Sequence, residues 1–190
     1  RLPALPSNGG YDSTTVALYK AEHNGNEPPA YHKDFDWIEW RAAKLNGFLK
    51  DLFTEVKSAD SSCLVTMSPS VYPWAKENYL QDWPTWVRMG LVDMVCPQLY
   101  RYDLQAYEKC LKDMVEWQVA PEDMHKVYPG VLLKVSDYLP EPEMLKGMIE
   151  LNRSYGLAGE VHFFYEGVSH FAELFDENYG ASPAIFPTDL

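Results

Sequence analysis

Apolar residues recur along this chain in two patterns, one with a helical period and one continuous. The longest helical stripe steps by four and three residues from Ile38 to Val56, which is the spacing of one helix face. Asp36 stands where an N-cap for this helix is expected. Short apolar runs without that period predict strands at residues 64–67, 92–99, 127–133 and 160–165. The run over 92–99 is nearly continuous, as expected for a strand buried on both faces.

Helical patterns follow the predicted strands in strict alternation, at about residues 82–89, 104–118, 141–155 and 169–178. Local signals support their ends. Asp82 and Pro84 open one helix and Gly90 follows it, while Gly156 follows another. Strict alternation of strands and helices predicts right-handed crossovers and a parallel sheet.

Residues 1–34 are polar and rich in turn formers, such as Asn8-Gly9-Gly10 and Pro28-Pro29. This composition predicts a long loop with one short helix at about 14–23. A loop of this length is expected where it belongs to a site or to a preceding element. At the other end, residues 181–190 are expected to form a C-terminal tail.

The spacing of the predicted strands indicates an α/β fold. Four strand-helix units over residues 35–180 make half of a (β/α)8 TIM barrel, in which about 250 residues carry eight units. Such a half leaves two strand edges unpaired, so we expect a missing N-terminal half-barrel or a second copy to cover them. The alternative is a self-contained four-stranded doubly wound sheet. No Gly-rich loop follows a predicted strand, which disfavours a nucleotide-binding version.

Charge and hydropathy exclude two classes of partner. The formal net charge is -12 and no Lys/Arg cluster stands out, so nucleic-acid binding is not expected. No apolar run approaches the roughly 20 residues of a membrane helix, so no membrane span is predicted. Aromatic residues reach 14%. They indicate either a large aromatic core or a carbohydrate cleft, in which several rings stack on sugar faces.

Cysteine and histidine spacing predicts neither a metal site nor a cofactor. Cys63, Cys96 and Cys110 are odd in number and lack CxxC spacing, which argues against a zinc site or a full disulfide framework. Cys63 and Cys96 lie in or beside apolar strands, where buried free thiols are expected. The five histidines show no metal-ligand spacing.

Polar and aromatic residues follow the predicted strand ends, although the strands themselves are apolar. In parallel barrels the site lies at the C-terminal ends of the strands, and convergent polar groups there predict a ligand site. The third exit carries Lys134, Ser136 and Asp137. The residues that we predict to bind substrate are Ser68, Tyr72, Trp74, Gln98, Tyr100, Arg101 and Tyr165.

Glycoside hydrolysis requires paired carboxylates on either side of the scissile bond. Glu166 lies directly at a strand exit and is the candidate catalytic residue, whereas Asp103 and Asp137 lie further out in loops. Asp93 stands at the start of its strand, on the opposite face. The second carboxylate is therefore expected from outside this chain. Ser68 has no GxSxG turn, which excludes a hydrolase triad of that kind.

Each candidate also has a structural interpretation. Glu166 could cap the following turn or pair with a lysine. Gln98 and Tyr100 could be satisfied core groups, and Tyr72 and Trp74 could anchor their loop.

Several short motifs, taken in order, resemble a known family. They are Gly10-Tyr11-Asp12-Ser13-Thr14-Thr15-Val16, Trp40-Arg41, Gln81-Asp82-Trp83, Gln98-x-Tyr100-Arg101 and Phe163-Phe164-Tyr165-Glu166. The chain is similar to the C-terminal half of the bacterial (β/α)8 barrels of glycosyl-hydrolase-like family ten, known from lipoproteins and cyanobacterial proteins.

The resemblance implies cleavage of glycosidic bonds in bacterial polysaccharide, such as peptidoglycan glycan strands, in the cell envelope or outside the cell. It also implies an Asp-Asp motif on the strand that would precede Arg1, and this chain lacks that motif. Two alternatives remain. One is a non-catalytic carbohydrate-binding or interaction module with the barrel fold, and the other is a small α/β protein of unrelated function.

Overall fold

Helices and short strands alternate along the computed structural model, which describes residues 3–182 and 185–187. Arg1 and much of the predicted 181–190 tail lie outside the described residues. A π-helical turn, Met114–Gln118, continues one helix, and 3-10 helices span Pro121–Lys126 and Tyr165–Phe171. The remaining elements are α1 (Ser13–Glu22), α2 (Phe35–Ala59), β1 (Thr66–Met67), α3 (Trp74–Tyr79), α4 (Trp83–Arg88), β2 (Met94–Val95), α5 (Leu104–Asp113), β3 (Gly130–Leu132), α6 (Pro142–Ser154), β4 (Val161–Phe163) and α7 (Ala172–Tyr179).

The four strands run parallel in chain order. β1 pairs with β2 through Thr66 and Met94, and β3 pairs with β4 through Val131 and His162. Isolated parallel bridges, Val95 to Val127 and Gln98 to Gly130, join β2 to β3. The parallel arrangement predicted from strand-helix alternation is confirmed. Because all four strands point the same way, their C-terminal ends lie along one edge of the sheet.

The stripe of α2 packs against the core, and its first four positions are buried: Ile38, Ala42, Leu45 and Leu49. The prediction that Asp36 caps this helix is wrong. Asp34 is the N-cap, and its Oδ1 accepts a hydrogen bond from the Trp37 backbone N at 3.2 Å. Asp36 instead lies in the first turn, where a negative charge also favours the helix dipole.

Tryptophan is divided between the core and the surface. Trp37, Trp83 and Trp86 are at most 1% exposed, whereas Trp74 is 45% exposed. Trp86 Nε1 donates to Asn46 Oδ1 at 2.6 Å, which joins α4 to α2. The aromatic composition therefore serves a large core and also leaves rings available at the surface.

Two short helices lie between the elements that the sequence pattern predicted. α3 occupies residues that follow the first strand, and the 3-10 helix Pro121–Lys126 precedes β3. Both have six residues, too short for a helical period to be visible. Among the described residues, no helix is long and apolar enough to cross a membrane.

The cysteines differ in exposure. The expectation of a buried Cys63 is wrong: it is exposed in the turn before β1, while Cys96 is buried and Cys110 is half-buried, all three as free thiols. Burial raises the pKa of the Cys96 thiol to about 11.

We expect iodoacetamide at pH 8 to alkylate Cys63 at least about 100-fold faster than Cys96, because only the thiolate reacts and Cys96 holds its proton. Peptide mass spectrometry of timed samples measures both rates. In a denaturant the two rates should converge. Equal rates in the native protein would contradict the buried position of Cys96.

Candidate functional site

An open cavity of about 430 Å³ lies at the C-terminal ends of β1 and β2. The structure brings together four of the residues that the sequence predicted to bind substrate, from two different strand exits. Ser70 and Val71 complete the lining. The four predicted residues in the cavity wall are Trp74, Gln98, Tyr100 and Arg101.

Gln98 is held in place by the neighbouring strand. Its Nε2 donates to the Ser68 backbone O at 2.7 Å, and its backbone N donates to the Pro69 O at 2.8 Å. Ser68 lies behind the cavity wall, where its Oγ donates to the Cys96 O at 3.0 Å. The Ser68 side chain therefore joins two strands and does not line the cavity.

Tyr100 lies against the fourth strand. Its ring stacks on Phe163, with centroids 5.3 Å apart and planes at 26°. Gly130 makes room for it, because a Cβ at this glycine would lie 3.2 Å from Tyr100 Cε1 and 3.1 Å from the Pro97 O. Sequence reasoning missed Gly130, although a glycine at the start of an apolar strand is a signal for close backbone approach.

Arg101 completes this wall beside Tyr100. It is half-buried, and its Nη1 donates to the Tyr100 backbone O at 2.8 Å. This hydrogen bond orients the guanidinium and uses one of its five N–H groups. The other N–H groups can donate to a ligand.

Tyr72 turns away from the cavity. Its half-buried ring contacts Trp83 edge-on at 6.2 Å, and its backbone O accepts from Gln118 Nε2 at 3.2 Å. Burial and the nearby Asp82 carboxylate raise the pKa of Tyr72. These contacts are those of a loop anchor, and the binding role of Tyr72 stays a prediction.

Glu166 and Tyr165 lie beyond β4, in the 3-10 helix Tyr165–Phe171. Tyr165 is 88% exposed. The Glu166 side chain is 63% exposed, with Oε1 at 3.9 Å from Lys134 Nζ, a surface pair of small energetic weight. Neither residue lines the cavity, but Phe163, which stacks on Tyr100, connects this exit to it.

A second depression of about 300 Å³ adjoins the first and was not anticipated from the sequence. Trp74 lines both. The Trp74 ring is edge-on to Tyr79, with centroids 5.0 Å apart and planes at 85°. The other lining residues are Pro6, Ser7, Asn8, His32, Lys33, Asn78 and Tyr79.

The buried side chain of Arg41 holds the loop that walls this depression. Only 4% exposed, it donates to the backbone O atoms of Ser7, of Gly9 at 2.8 Å and of His32 at 2.6 Å. Its guanidinium also stacks over Trp37 at 4.5 Å. Burial lowers the pKa of Arg41. The sequence contains one signal for this role, because Arg41 is a charged residue beside Ala42 on the apolar stripe of α2.

Carboxylates at the two depressions and clusters that could bind a metal ion are both absent from the described residues. No carboxylate lines either depression among the described residues. Over that same part of the chain, no group of three or more His, Cys, Asp or Glu side chains could hold a metal ion.

The chain belongs to the family Glycosyl hydrolase-like 10, whose model matches residues 3–136, more than half of the sequence. The match confirms the resemblance seen in the short motifs. No match to a curated protein was found.

A solved structure has a similar fold, that of the PgaB (BpsB) glycoside hydrolase domain from Bordetella bronchiseptica. The TM-score is 0.68 at 14% sequence identity, over 91% of this chain and 53% of that chain. This chain thus has a mixed helix and strand fold like that of a glycoside hydrolase domain, and spans about half the length of the solved structure.

Proposed function

We propose that this chain is the C-terminal half of a (β/α)8 barrel and forms one wall of the active-site cleft of a glycoside hydrolase. The observation that carries the proposal is the meeting of Trp74, Gln98, Tyr100 and Arg101 in one cavity at the C-terminal ends of parallel strands, where barrel enzymes place their sites. Family membership supports the same activity.

The open sheet edges support the half-barrel. β1 and β4 are the outer strands, and in β4 Val161 is 40% and Phe163 44% exposed. An inner barrel strand normally buries such residues. A further apolar groove lies along α2, where Phe48 is 57% exposed. We propose that an N-terminal half-barrel covers these surfaces, and a second copy of the chain is the alternative.

The intact mass of the complete translated protein, measured under denaturing conditions, tests the half-barrel. We expect a mass well above 21.8 kDa, the mass of this chain, because the remaining strands belong to the same polypeptide. A mass of 21.8 kDa with a dimer in native light scattering would favour the second copy. The same mass with a stable monomer would contradict both versions.

In the proposed reaction, the residues of this wall bind and orient the sugar. The exposed face of Trp74 stacks on the apolar face of a sugar ring. Gln98 and Tyr100 hydrogen-bond its hydroxyls, with Ser68 holding Gln98 in place and Tyr165 on the far rim. Tyr72 supports the loop that carries Trp74. The proposed substrate is a bacterial polysaccharide such as peptidoglycan glycan strands, in the cell envelope or outside the cell.

Paired carboxylates then carry the proton transfers. We propose Glu166 as one of the pair and an aspartate on the preceding half-barrel as the other. One group protonates the leaving oxygen, and the other acts as nucleophile or as base toward water. A separation of about 5–5.5 Å between them would give retention of configuration, and about 6.5–9.5 Å would give inversion.

Replacing Glu166 by glutamine in the complete protein tests this assignment. We expect release of reducing ends from glycan strands to fall by about 100-fold or more, the loss typical of a missing acid or base. Affinity for the strands should be nearly unchanged. Glu173→Gln is the matched control, because Glu173 is an exposed residue in the first turn of α7. Full activity in Glu166→Gln would remove Glu166 from the mechanism.

A second candidate is a non-catalytic carbohydrate-binding module. The absence of carboxylates from both cavity linings, within the described residues, favours it. This candidate predicts that the unmodified protein binds glycan strands without releasing reducing ends. Glu166→Gln would then leave binding intact and have no activity to abolish.

Gly130→Ala tests the sugar-binding role of Tyr100. The added methyl group must displace Tyr100 or the Pro97 carbonyl by a few tenths of an ångström, and overpacking of this kind typically costs about 1–3 kcal/mol. We expect a weaker affinity for glycan strands, measured by fluorescence titration. Gly47→Ala is the control, because nothing lies within 4 Å of its added Cβ. Unchanged affinity in Gly130→Ala would contradict the role given to Tyr100.

A further inference from the structure

We propose that the glycan continues from the first cavity across Trp74 into the second depression, and that the glycan is acidic. Arg101 in the first cavity and Lys33 in the second depression bind its carboxylate groups. This inference rests on the proposed carbohydrate function. It adds a second binding site and a preference for negatively charged glycans.

The two depressions share a lining residue. Trp74 lines both, and this residue is 45% exposed. Their volumes of about 430 and 300 Å³ lie at or within the range of ordinary small-ligand sites, about 300–1,000 Å³. A flat aromatic ring between two depressions suits an extended chain of sugars, because one ring can stack while the neighbouring sugars enter on either side.

The charge of the two linings is opposite to that of the whole chain. The formal net charge is -12, yet the described residues of the two linings include Lys33 and Arg101 but no aspartate or glutamate. A local cationic surface on an acidic protein attracts anions and repels cationic ligands. We therefore expect the bound glycan to carry negative charge.

Both cations keep donors for a ligand. Lys33 Nζ donates to Asn78 Oδ1 at 3.3 Å, and Arg101 Nη1 donates to the Tyr100 O at 2.8 Å. Neither forms an ion pair with a carboxylate of the described residues. Several other lysines are paired in this way: Lys44 with Glu22, Lys57 with Asp93, and Lys76 with Asp82. Arginine and lysine without an acidic partner are suited to bind carboxylates.

The second depression is held in its shape by the protein itself. Asn78 Nδ2 donates to the Trp74 O at 2.9 Å, and the Ser7 N donates to the Asn78 O at 3.1 Å. Arg41 binds the Ser7 and His32 carbonyls from behind. Because these groups are ordered before a ligand arrives, binding costs less conformational entropy.

Two forms of one ligand test the proposal on the complete protein. The first is peptidoglycan glycan strands freed of their peptides, so that the muramic acid carboxylates are exposed. The second is the same strands after conversion of those carboxylates to neutral methylamides. We expect the acidic form to bind about tenfold tighter, since a hydrogen bond to a charged group contributes about 1.5–3 kcal/mol. Added salt should reduce the difference.

Variants locate the effect. Lys33→Met and Arg101→Met should each remove most of the preference for the acidic form, and Trp74→Ala should weaken both forms. Lys50→Met, at an exposed position of α2, should change neither. Equal binding of the two forms, or a preference that survives Lys33→Met, would overturn the inference and leave the proposed function standing. Failure of both forms to bind would instead count against the proposed function.

Discussion

Replacing Arg41 by methionine is expected to lower the free energy of unfolding by about 3–5 kcal/mol. The change leaves buried carbonyls without a donor, and each such carbonyl costs about 1–3 kcal/mol. The Ser7, Gly9 and His32 carbonyls all accept from this guanidinium. Methionine fills a similar volume but donates no hydrogen bond. The loop from Ser7 to His32 then loses the side chain that joins its two ends.

Urea denaturation of the variant measures this loss, and titration with glycan strands measures its effect on the second depression. Arg88→Met is the control, because Arg88 is exposed and its Nη2 donates to the Thr85 Oγ1, at 2.9 Å, and not to a buried carbonyl of the described residues. Arg41→Lys should recover less than half of the lost stability, since one ammonium cannot match the fork of a guanidinium. An Arg41→Met protein as stable as Arg88→Met would refute this role.

Replacing Asn152 by leucine is the second change with a large expected effect. We expect the free energy of unfolding to fall by about 3–5 kcal/mol, because the Tyr107 hydroxyl and the Glu160 carboxylate each lose a buried hydrogen-bond partner. Asn152 is fully buried. Its Oδ1 accepts from Tyr107 Oη at 2.8 Å, and its Nδ2 donates to Glu160 Oε2 at 3.2 Å. The Glu160 side chain is only 4% exposed and also accepts from Tyr179 Oη.

This network joins α5, α6 and α7 at the start of β4, the strand that leads to Glu166. Burial raises the pKa of Tyr107, so its hydroxyl remains protonated and continues to donate. We therefore expect Asn152→Leu to lower both the urea midpoint and the activity of the complete protein. Asn26→Leu, at an exposed loop position, should change neither.

A double-mutant cycle separates the hydrogen bond from packing. Tyr107→Phe removes the hydroxyl that Asn152 binds. If the two residues act through that bond, the double variant should lose less unfolding free energy than the sum of the losses in Asn152→Leu and Tyr107→Phe. The expected difference is about 1 kcal/mol, within the range for contacting pairs. Strict additivity would show that Asn152 stabilises the protein through packing alone.

Periodicity located the long elements because those elements bury one face. The stripe of α2 is an example, since Ile38 and Leu49 lie one above the other against the core. The N-cap was misplaced by two residues because Asp34 and Asp36 carry the same side chain. The two aspartates differ in backbone conformation: Asp34 has non-helical dihedral angles and precedes the helix, whereas Asp36 already lies in its first turn. α3 was missed because its six residues span less than two turns.

The cavity at the strand ends was predictable in part. Gln98 and Tyr100 follow an apolar strand, and parallel strands bring their ends to one edge. The direction of each side chain was not predictable. Tyr72 and Trp74 are two residues apart, yet the first contacts Trp83 inside and the second lines both depressions. Loop geometry after β1 decides this, and it depends on residues distant in the chain.

The sequence by itself determined the alternation of elements, the parallel direction of the strands and the edge at which polar residues collect. These features follow from local periodicity and from the chirality of the chain, which act over short distances. The tertiary structure alone decided that Arg41 binds carbonyls up to 34 residues away, that Gly130 admits Tyr100, and that Lys33 and Arg101 line two depressions that share Trp74. Such contacts depend on which distant segments the fold brings within hydrogen-bond distance, and no local pattern encodes that.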